Sequence, residues 1–301
     1  MEACKQEEDI NFQRLSSRIK AEVNKLRNYE KTDFNDDYEK VKFEISKIYG
    51  DRKSYLMEAM ECSERWEWWA AAVAMNAVPK KPYPKIYFET NLSESHKPYK
   101  MIKKCLEPFI DKRKAFLDLI DYVLYCFGSP QVKNICHIKD SFLKHFKDTF
   151  SVKVFYDHPG DYLGHYLERN FGYCHQQSSS FYTTPDSLCE MMNELVIPEY
   201  PYPAGLFATA YDCCCGTMRT LLRASNMGFI KIYGQEIDPT IHKVGLINCF
   251  LYLPPTVMPS KEFDKMLDER YEQAKFIGNI KKAFNVLIRS EDVWSLQKKE
   301  K

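Results

Sequence analysis

YDCCCGTMRTLL at Tyr211–Leu222 and IYGQEIDPTIHKVGLINCFLYL at Ile232–Leu253 are the stretches that decide the predicted fold. The short apolar run Leu206–Tyr211 predicts a strand, followed by a glycine turn and then by a helix. A second apolar run, Phe229–Tyr233, predicts another strand that stops at Gly234. Strand, turn, helix and strand in this order are typical of half of a nucleotide-binding α/β sheet.

An acidic residue follows each of these predicted strands. Asp212 comes after the first, and Glu236, 24 positions further on, comes after the second. A glycine in the turn lets the backbone approach a ligand closely, and an acid about 20 residues later can accept both hydroxyls of a ribose. The spacing therefore favours an adenosine-containing cofactor, with Glu236 on its ribose.

Further motifs precede and accompany these strands in a fixed order. They are DYLGHYLE at Asp161–Glu168, FYTTP at Phe181–Pro185, DCCCGT at Asp212–Thr217, and GQEIDP at Gly234–Pro239 with Asn248 downstream. The series resembles the adenine-specific (N-6) DNA methylases, above all the modification subunits of type I restriction-modification systems. Their usual forms are LGxxYE, FYTP, DPxCGTG and GQExxP followed by an asparagine. The chain also resembles the short DNA methylase-like proteins of phages and integrative elements.

The resemblance implies that S-adenosyl-L-methionine is the cofactor and that the product is DNA methylated at adenine N6. Carried over motif by motif, the implied cofactor-binding residues are Phe181, Tyr182, Thr183, Pro185, Asp212, Cys215, Gly216, Thr217, Glu236, Ile237 and Asp292. Two positions depart from the family's DPxCGTG motif: Cys213 replaces the proline and Met218 replaces the second glycine. A cofactor pocket then requires the Met218 side chain to turn toward the core.

The predicted fold class is α/β, with a helical N-terminal region over residues 1–155 and a Rossmann-like methyltransferase domain over residues 156–301. The second domain is expected to be incomplete at its C-terminus, because its predicted third strand, 284–288, is its last. A charged, helix-like insertion at 254–283 separates that strand from the rest. By resemblance, the helical region helps to hold DNA and partner subunits.

Several local patterns give expectations that the structure can test. Trp66, Trp68 and Trp69 on one predicted helix are expected in a helical core, with base stacking as the alternative. Two adjacent indoles on a helix point in different directions, so one is expected in an interface.

Two helix starts are also predicted. Pro185 is expected in the first turn of a helix capped by Thr184. The buried face of that helix is predicted to consist of Leu188, Met191, Met192 and Leu195. Asp238 and Pro239 are predicted to begin another helix, in which Asn248 tethers backbone.

The mechanism depends on a motif that the sequence lacks. Adenine-N6 methylases use an NPPY or NPPF loop to hold the target amine and stack on the flipped base, and this chain contains no such tetrapeptide. Two classes of function stay open: a DNA adenine methyltransferase, alone or completed by another subunit, and a non-catalytic module that binds cofactor, DNA or a partner. A truncated relic with an intact fold is a third.

Charge, hydropathy and cysteine spacing indicate which partners and which cellular compartment the chain is expected to have. The 301 residues carry a net charge of +1, which gives no global basic field for nucleic acid, so DNA binding would need a local patch. No apolar run reaches the roughly 18 residues of a membrane span, and the polar N-terminus lacks the apolar core of a signal peptide. The 11 cysteines are irregularly spaced, without a CxxC pair, which favours reduced thiols in a cytoplasmic protein over disulfides or zinc.

The incomplete sheet also leads to an expectation about partners. Because a sheet that ends at its third strand exposes an edge, we expect a homodimer or a second methylase or specificity subunit.

Overall fold

The structure is a computed structural model that describes residues 55–75, 78–79, 81–179, 182–196 and 204–276. Helices make up most of these residues. The helices before the sheet are α1 (Tyr55–Cys62), α2 (Glu64–Met75), α3 (Lys97–Leu106), α4 (Lys112–Phe127), α5 (Asp140–Thr149), α6 (Lys153–Asp157), α7 (Tyr162–Ser179) and α8 (Asp186–Val196). Then follow β1 (Thr209–Asp212), α9 (Arg219–Ala224), β2 (Lys231–Gly234), α10 (Pro239–Tyr252), α11 (Pro254–Val257) and α12 (Lys261–Phe276). Phe181, Asp292 and the predicted strand at 284–288 lie outside the described residues.

The two strands pair in parallel, as the strand–helix–strand pattern predicts. Thr209 is aligned with Lys231 and Asp212 with Gly234, so both strands end at the same edge of the sheet. The part of the chain described here is therefore mostly helical with a small parallel sheet, which fits the α/β class. None of the described helices has the length and apolar character needed to cross a membrane.

The first strand begins later than predicted. Residues Ala204–Phe207 form a short 3-10 helix, so the predicted start at Leu206 is wrong by three residues. Gly205, within this 3-10 helix, approaches the turn before β2 so closely that an added Cβ would lie 2.9 Å from the carbonyl oxygen of Met227.

Helix α10 connects the sheet to the helical region. Asp238 caps it by accepting hydrogen bonds from the N–H groups of Thr240 (2.8 Å) and Ile241 (3.1 Å), and Pro239 occupies its first turn, both as predicted. Its buried face packs on α4, where the rings of Phe127 and Phe250 stack with centroids 5.0 Å apart.

The helical region and the sheet share one continuous core across the predicted boundary at residues 155/156. Trp66 on α2 donates a hydrogen bond from Nε1 to the carbonyl oxygen of Phe250 (2.9 Å). The neighbouring Arg65 is also buried and donates from Nη1 to the Ser225 hydroxyl (2.6 Å) and the Tyr252 carbonyl oxygen (3.0 Å). These contacts join segments more than 150 residues apart in the chain.

All three tryptophans of α2 are buried, so the expectation that Trp68 or Trp69 lies in an interface is wrong. The helix is enclosed on more than one side. Trp68 packs edge-on against Tyr83, and both Trp68 and Trp69 pack edge-on against Phe263. The core interpretation of this tryptophan cluster is confirmed.

Helix α8 turns its polar side inward, which contradicts the prediction for its buried face. The predicted inward residues are instead exposed: Leu188 39%, Met191 49%, Met192 42% and Leu195 76%. The buried residues are Asp186, Cys189 and Asn193, because α8 packs on α9 and meets its polar residues Arg219, Thr220 and Arg223. Asn193 Nδ2 donates to the carbonyl oxygen of Thr220 (3.0 Å), and Asp186 pairs with arginines of α9. The apolar residues of α8 therefore lie on its exposed face and not on its buried face.

Candidate nucleotide site at the carboxyl edge of the sheet

The loops that follow β1 and β2 are joined to each other by backbone hydrogen bonds. The Gln235 N–H donates to the Asp212 carbonyl oxygen, and the Cys215 N–H donates to the Gln235 carbonyl oxygen, each at 2.9 Å. The pairing of the strands thus continues beyond their ends and fixes the two loops relative to each other.

Glu236 connects these two loops with its carboxylate. Oε2 accepts a hydrogen bond from the Gly216 N–H (3.1 Å), and Oε1 accepts one from the Asp238 N–H (2.9 Å). The side chain is half-buried. Each carboxylate oxygen can accept a further hydrogen bond, so Glu236 is fixed in orientation and retains capacity for two hydroxyl donors. Ile237, which follows, is almost fully exposed.

Met218 stands where the family motif has its second glycine, and its side chain has to be accommodated. Its backbone has φ 76°, a left-handed conformation that is unusual for a residue with a side chain. The side chain is buried, with its sulfur and Cγ against Gly234 and Gly245, where an added Cβ would come within 2.7 and 3.1 Å. The Met218 side chain therefore turns toward the core, as a cofactor pocket at this loop requires. The glycines at 234 and 245 are the sequence signal for this packing.

The glycine turn of the candidate site is anchored by Asp161, a residue to which sequence reasoning assigned no role. It is 2% exposed. Its Oδ2 accepts hydrogen bonds from the Thr217 hydroxyl and from Arg219 Nε (2.8 Å). Its Oδ1 accepts from the Gly164 N–H (2.8 Å) and from Asn248 Nδ2 (2.9 Å). One carboxylate thus holds together the start of α7, the glycine turn and α10. A signal was present, because an aspartate three residues before a helical glycine fits an N-cap.

The Thr217 side chain accordingly faces inward. Its hydroxyl is engaged by Asp161, and the residue is buried. Asn248 Nδ2 also donates to the Thr217 carbonyl oxygen (2.9 Å), so the prediction that Asn248 tethers backbone is confirmed. These two residues therefore shape the glycine turn from behind.

A buried ion network extends from Asp161 to α8. Arg219 lies 2.8 Å from Asp161, and Arg223 Nη2 lies 2.7 Å from Asp186 Oδ1. Burial alone would lower the pKa of Arg219, but the carboxylates of Asp161 and Asp186 outweigh it and raise that pKa. Burial raises the pKa of Asp186 despite both arginines. Arg219 and Arg223 are consequently buried and balanced by internal carboxylates.

The segment 182–185 is fastened beside this network. The N–H and hydroxyl of Thr183 both donate to the Glu168 carboxylate, and Arg219 Nη1 donates to the Thr184 carbonyl oxygen (3.3 Å). Pro185 stands one position before α8, where its carbonyl oxygen accepts the first helical hydrogen bonds; the expected first-turn position is off by one. Tyr182 is 70% exposed and free to contact a ligand.

The cysteine turn after β1 has two exposed members and one buried member. Asp212 Oδ1 accepts from the Cys214 N–H (3.0 Å), which fixes the turn. Cys215 is buried against Gly234, and burial raises its pKa to about 12. In the described part of the chain, no group of three or more His, Cys, Asp or Glu side chains is arranged to hold a metal ion.

A separate groove of about 820 Å³ lies near the amino ends of the strands. It is lined by residues of the 82–88 segment, of α8 and of the turns before β1 and β2, among them Tyr87, Phe88, Glu190, Arg223, Asn226 and Gly228. None of the predicted cofactor residues lines it. The structure thus places Asp212, Gly216 and Glu236 together at the carboxyl edge, away from this groove.

Comparison with protein-family models, with curated proteins and with solved structures found no match to this chain. The functional assignment therefore depends on the geometry of the chain's own residues and on the motif resemblance.

Proposed function

We propose that this chain binds S-adenosylmethionine at the carboxyl edge of β1 and β2 and is a DNA adenine-N6 methyltransferase-like protein with a Rossmann-like domain. The observation that carries the proposal is Glu236. Its carboxylate stands at the end of β2, is fixed by two backbone N–H groups and retains acceptor capacity for a ribose diol.

The charges at this edge favour a cationic cofactor over a phosphate-bearing one. The ionisable side chains that directly follow the strands are Asp212, Glu236 and Asp238, apart from the cysteines. The nearest arginine in sequence, Arg219, is buried and paired with Asp161. A pyrophosphate would meet repulsion here, whereas the sulfonium centre of S-adenosylmethionine would meet attraction.

The remaining residues fit the other parts of such a cofactor. Ile237 offers an exposed apolar surface beside Glu236 for the adenine ring, and Tyr182 is exposed beside the start of α8. Gly216, with φ 54°, lets the backbone approach the ligand. When bound, S-adenosylmethionine supplies an electrophilic methyl group. The chain's residues would hold and orient it.

Titration calorimetry of S-adenosylmethionine into the wild type and into Glu236→Ala and Glu236→Gln tests the proposal. We expect both substitutions to weaken binding by about 1–3 kcal/mol, because a ribose hydroxyl loses a charged acceptor. Glu190→Ala, which removes an exposed carboxylate of α8, should leave the affinity unchanged. Wild type that fails to bind at millimolar cofactor, or equal affinity in all variants, would contradict the site.

A second candidate function follows from the missing NPPY or NPPF tetrapeptide: a non-catalytic cofactor- or DNA-binding module. Methyl transfer from labelled S-adenosylmethionine to adenine-containing duplex DNA separates the two. Transfer by the chain alone supports the methyltransferase. Cofactor binding without transfer supports the module, or an enzyme completed by another subunit.

The unpaired edges of the sheet favour a partner subunit. Within the described residues, β1 and β2 pair only with each other, so each has one unpaired edge, and Tyr211 and Tyr233 are more than half exposed. Unpaired edges are usually covered. A homodimer or a second methylase or specificity subunit would cover them, and a monomer at all concentrations in light scattering would exclude the homodimer.

A further inference from the structure

Two consecutive cysteines are exposed on the turn after β1. Cys213 and Cys214 differ in this from the buried cysteines of the described chain, among them Cys215. The other exposed cysteines there are Cys62 and Cys136, each without a cysteine next to it in the sequence. The turn thus presents a dithiol to solvent beside Asp212.

The local geometry holds the two thiols together. The hydrogen bond from the Cys214 N–H to Asp212 Oδ1 (3.0 Å) fixes the turn. Cys213 and Cys214 are adjacent on this fixed turn and both exposed, and the neighbouring Cys213 thiol raises the pKa of the Cys214 thiol. Since the described residues offer no third ligand for a metal ion here, the chemistry suited to this pair needs two sulfurs only.

We propose that Cys213 and Cys214 form a covalent dithiol modification site that reacts reversibly with low-molecular-weight disulfides. In the first step one of the two thiolates attacks the disulfide, whose S–S bond breaks and releases one thiolate. In the second step the neighbouring cysteine attacks the protein sulfur of the mixed disulfide and releases the other. Two protein thiols are oxidised to a Cys213–Cys214 disulfide, and the small disulfide is reduced to two thiols, which take up the protons.

The product is expected to be easily reduced. Consecutive Cα atoms lie about 3.8 Å apart across a trans peptide, below the roughly 4.4–6.8 Å of ordinary disulfides. The closed ring is therefore strained, and strained, exposed disulfides are the labile ones. Because the turn carries Asp212, oxidation would also distort the cofactor edge; this consequence, unlike the modification itself, rests on the proposed function.

The first test is mass spectrometry of the full chain after incubation with glutathione disulfide. We expect loss of two hydrogen atoms, assigned by peptide mapping to Cys213 and Cys214 and reversed by excess thiol. Cys213→Ser and Cys214→Ser should each stop at a mixed glutathione adduct on the remaining cysteine. Cys62→Ser and Cys136→Ser should leave ring closure intact.

Phenylarsine oxide, which bridges paired thiols, gives an independent readout. Wild type should retain one equivalent at this turn in the presence of a monothiol and release it to a dithiol, and either serine variant at 213 or 214 should lose that retention. No bridged adduct in the wild type, or a bridge that persists in Cys213→Ser, would overturn the proposal. Both experiments measure the mass of the chain, so their outcome does not depend on cofactor binding. Failure of this proposal and failure of the proposed function can therefore be distinguished.

Discussion

Replacing Asp161 with alanine is expected to lower the free energy of unfolding by about 3–5 kcal/mol, because it leaves a buried arginine without its closest carboxylate. Arg219 is 6% exposed and lies 2.8 Å from Asp161 Oδ2. The same substitution removes the acceptor for Thr217, for Asn248 and for the first turn of α7. Urea denaturation followed by circular dichroism measures the loss.

The matched control is Asp157→Ala. Asp157 is also an ion-paired aspartate, but it is exposed and lies 3.8 Å from an exposed Lys97. Surface pairs of this kind contribute about 0–1 kcal/mol, so the control should change stability little. Equal losses in the two variants would show that Asp161 is not the centre of the network.

A double variant identifies the cause of the Asp161 effect. If the uncompensated charge dominates, Arg219→Met in the Asp161→Ala background should recover part of the lost stability, because replacing a whole buried pair by apolar groups is often near neutral. If the hydrogen bonds to Thr217 and Asn248 dominate, the double variant should be no more stable than Asp161→Ala.

The features that sequence predicted well are those determined by neighbouring residues. Asp238 and Pro239 begin α10, and both strands occur within three residues of their expected positions. Caps, helix stops and short apolar runs depend on local backbone chemistry. A single chain therefore carries enough information for them.

The features that sequence missed depend on what each element packs against. Helix α8 buries polar residues because α9 offers Arg219, Thr220 and Arg223 to it, and no pattern within α8 contains that fact. The role of Asp161 likewise arises from residues 56 to 87 positions away. For the candidate site, the sequence assigned Gly216 and Glu236 to the same ligand, and the structure joins them by a hydrogen bond. It could not show that Thr217 faces inward.

Trp66→Ala is expected to lower the free energy of unfolding by about 3–5 kcal/mol, the usual cost of deleting a buried tryptophan side chain. The reason extends beyond lost volume. Trp66 belongs to α2, yet its indole N–H is bonded to the Phe250 carbonyl oxygen of α10, and the adjacent Arg65 bonds to Ser225 and Tyr252. The loss should therefore be felt in the sheet half as well as in the helical region.

Hydrogen exchange resolves where the loss falls. We expect faster exchange of amides in both α2 and α10, with one cooperative unfolding transition, because one core spans residues on either side of the 155/156 boundary. Trp66→Phe, which keeps an aromatic ring and removes the indole donor, should cost less. If 1–155 and 156–301 are instead independent domains, Trp66→Ala will accelerate exchange in α2 alone and split unfolding into two transitions. The two results give opposite answers on whether the cofactor half can be separated from its helices.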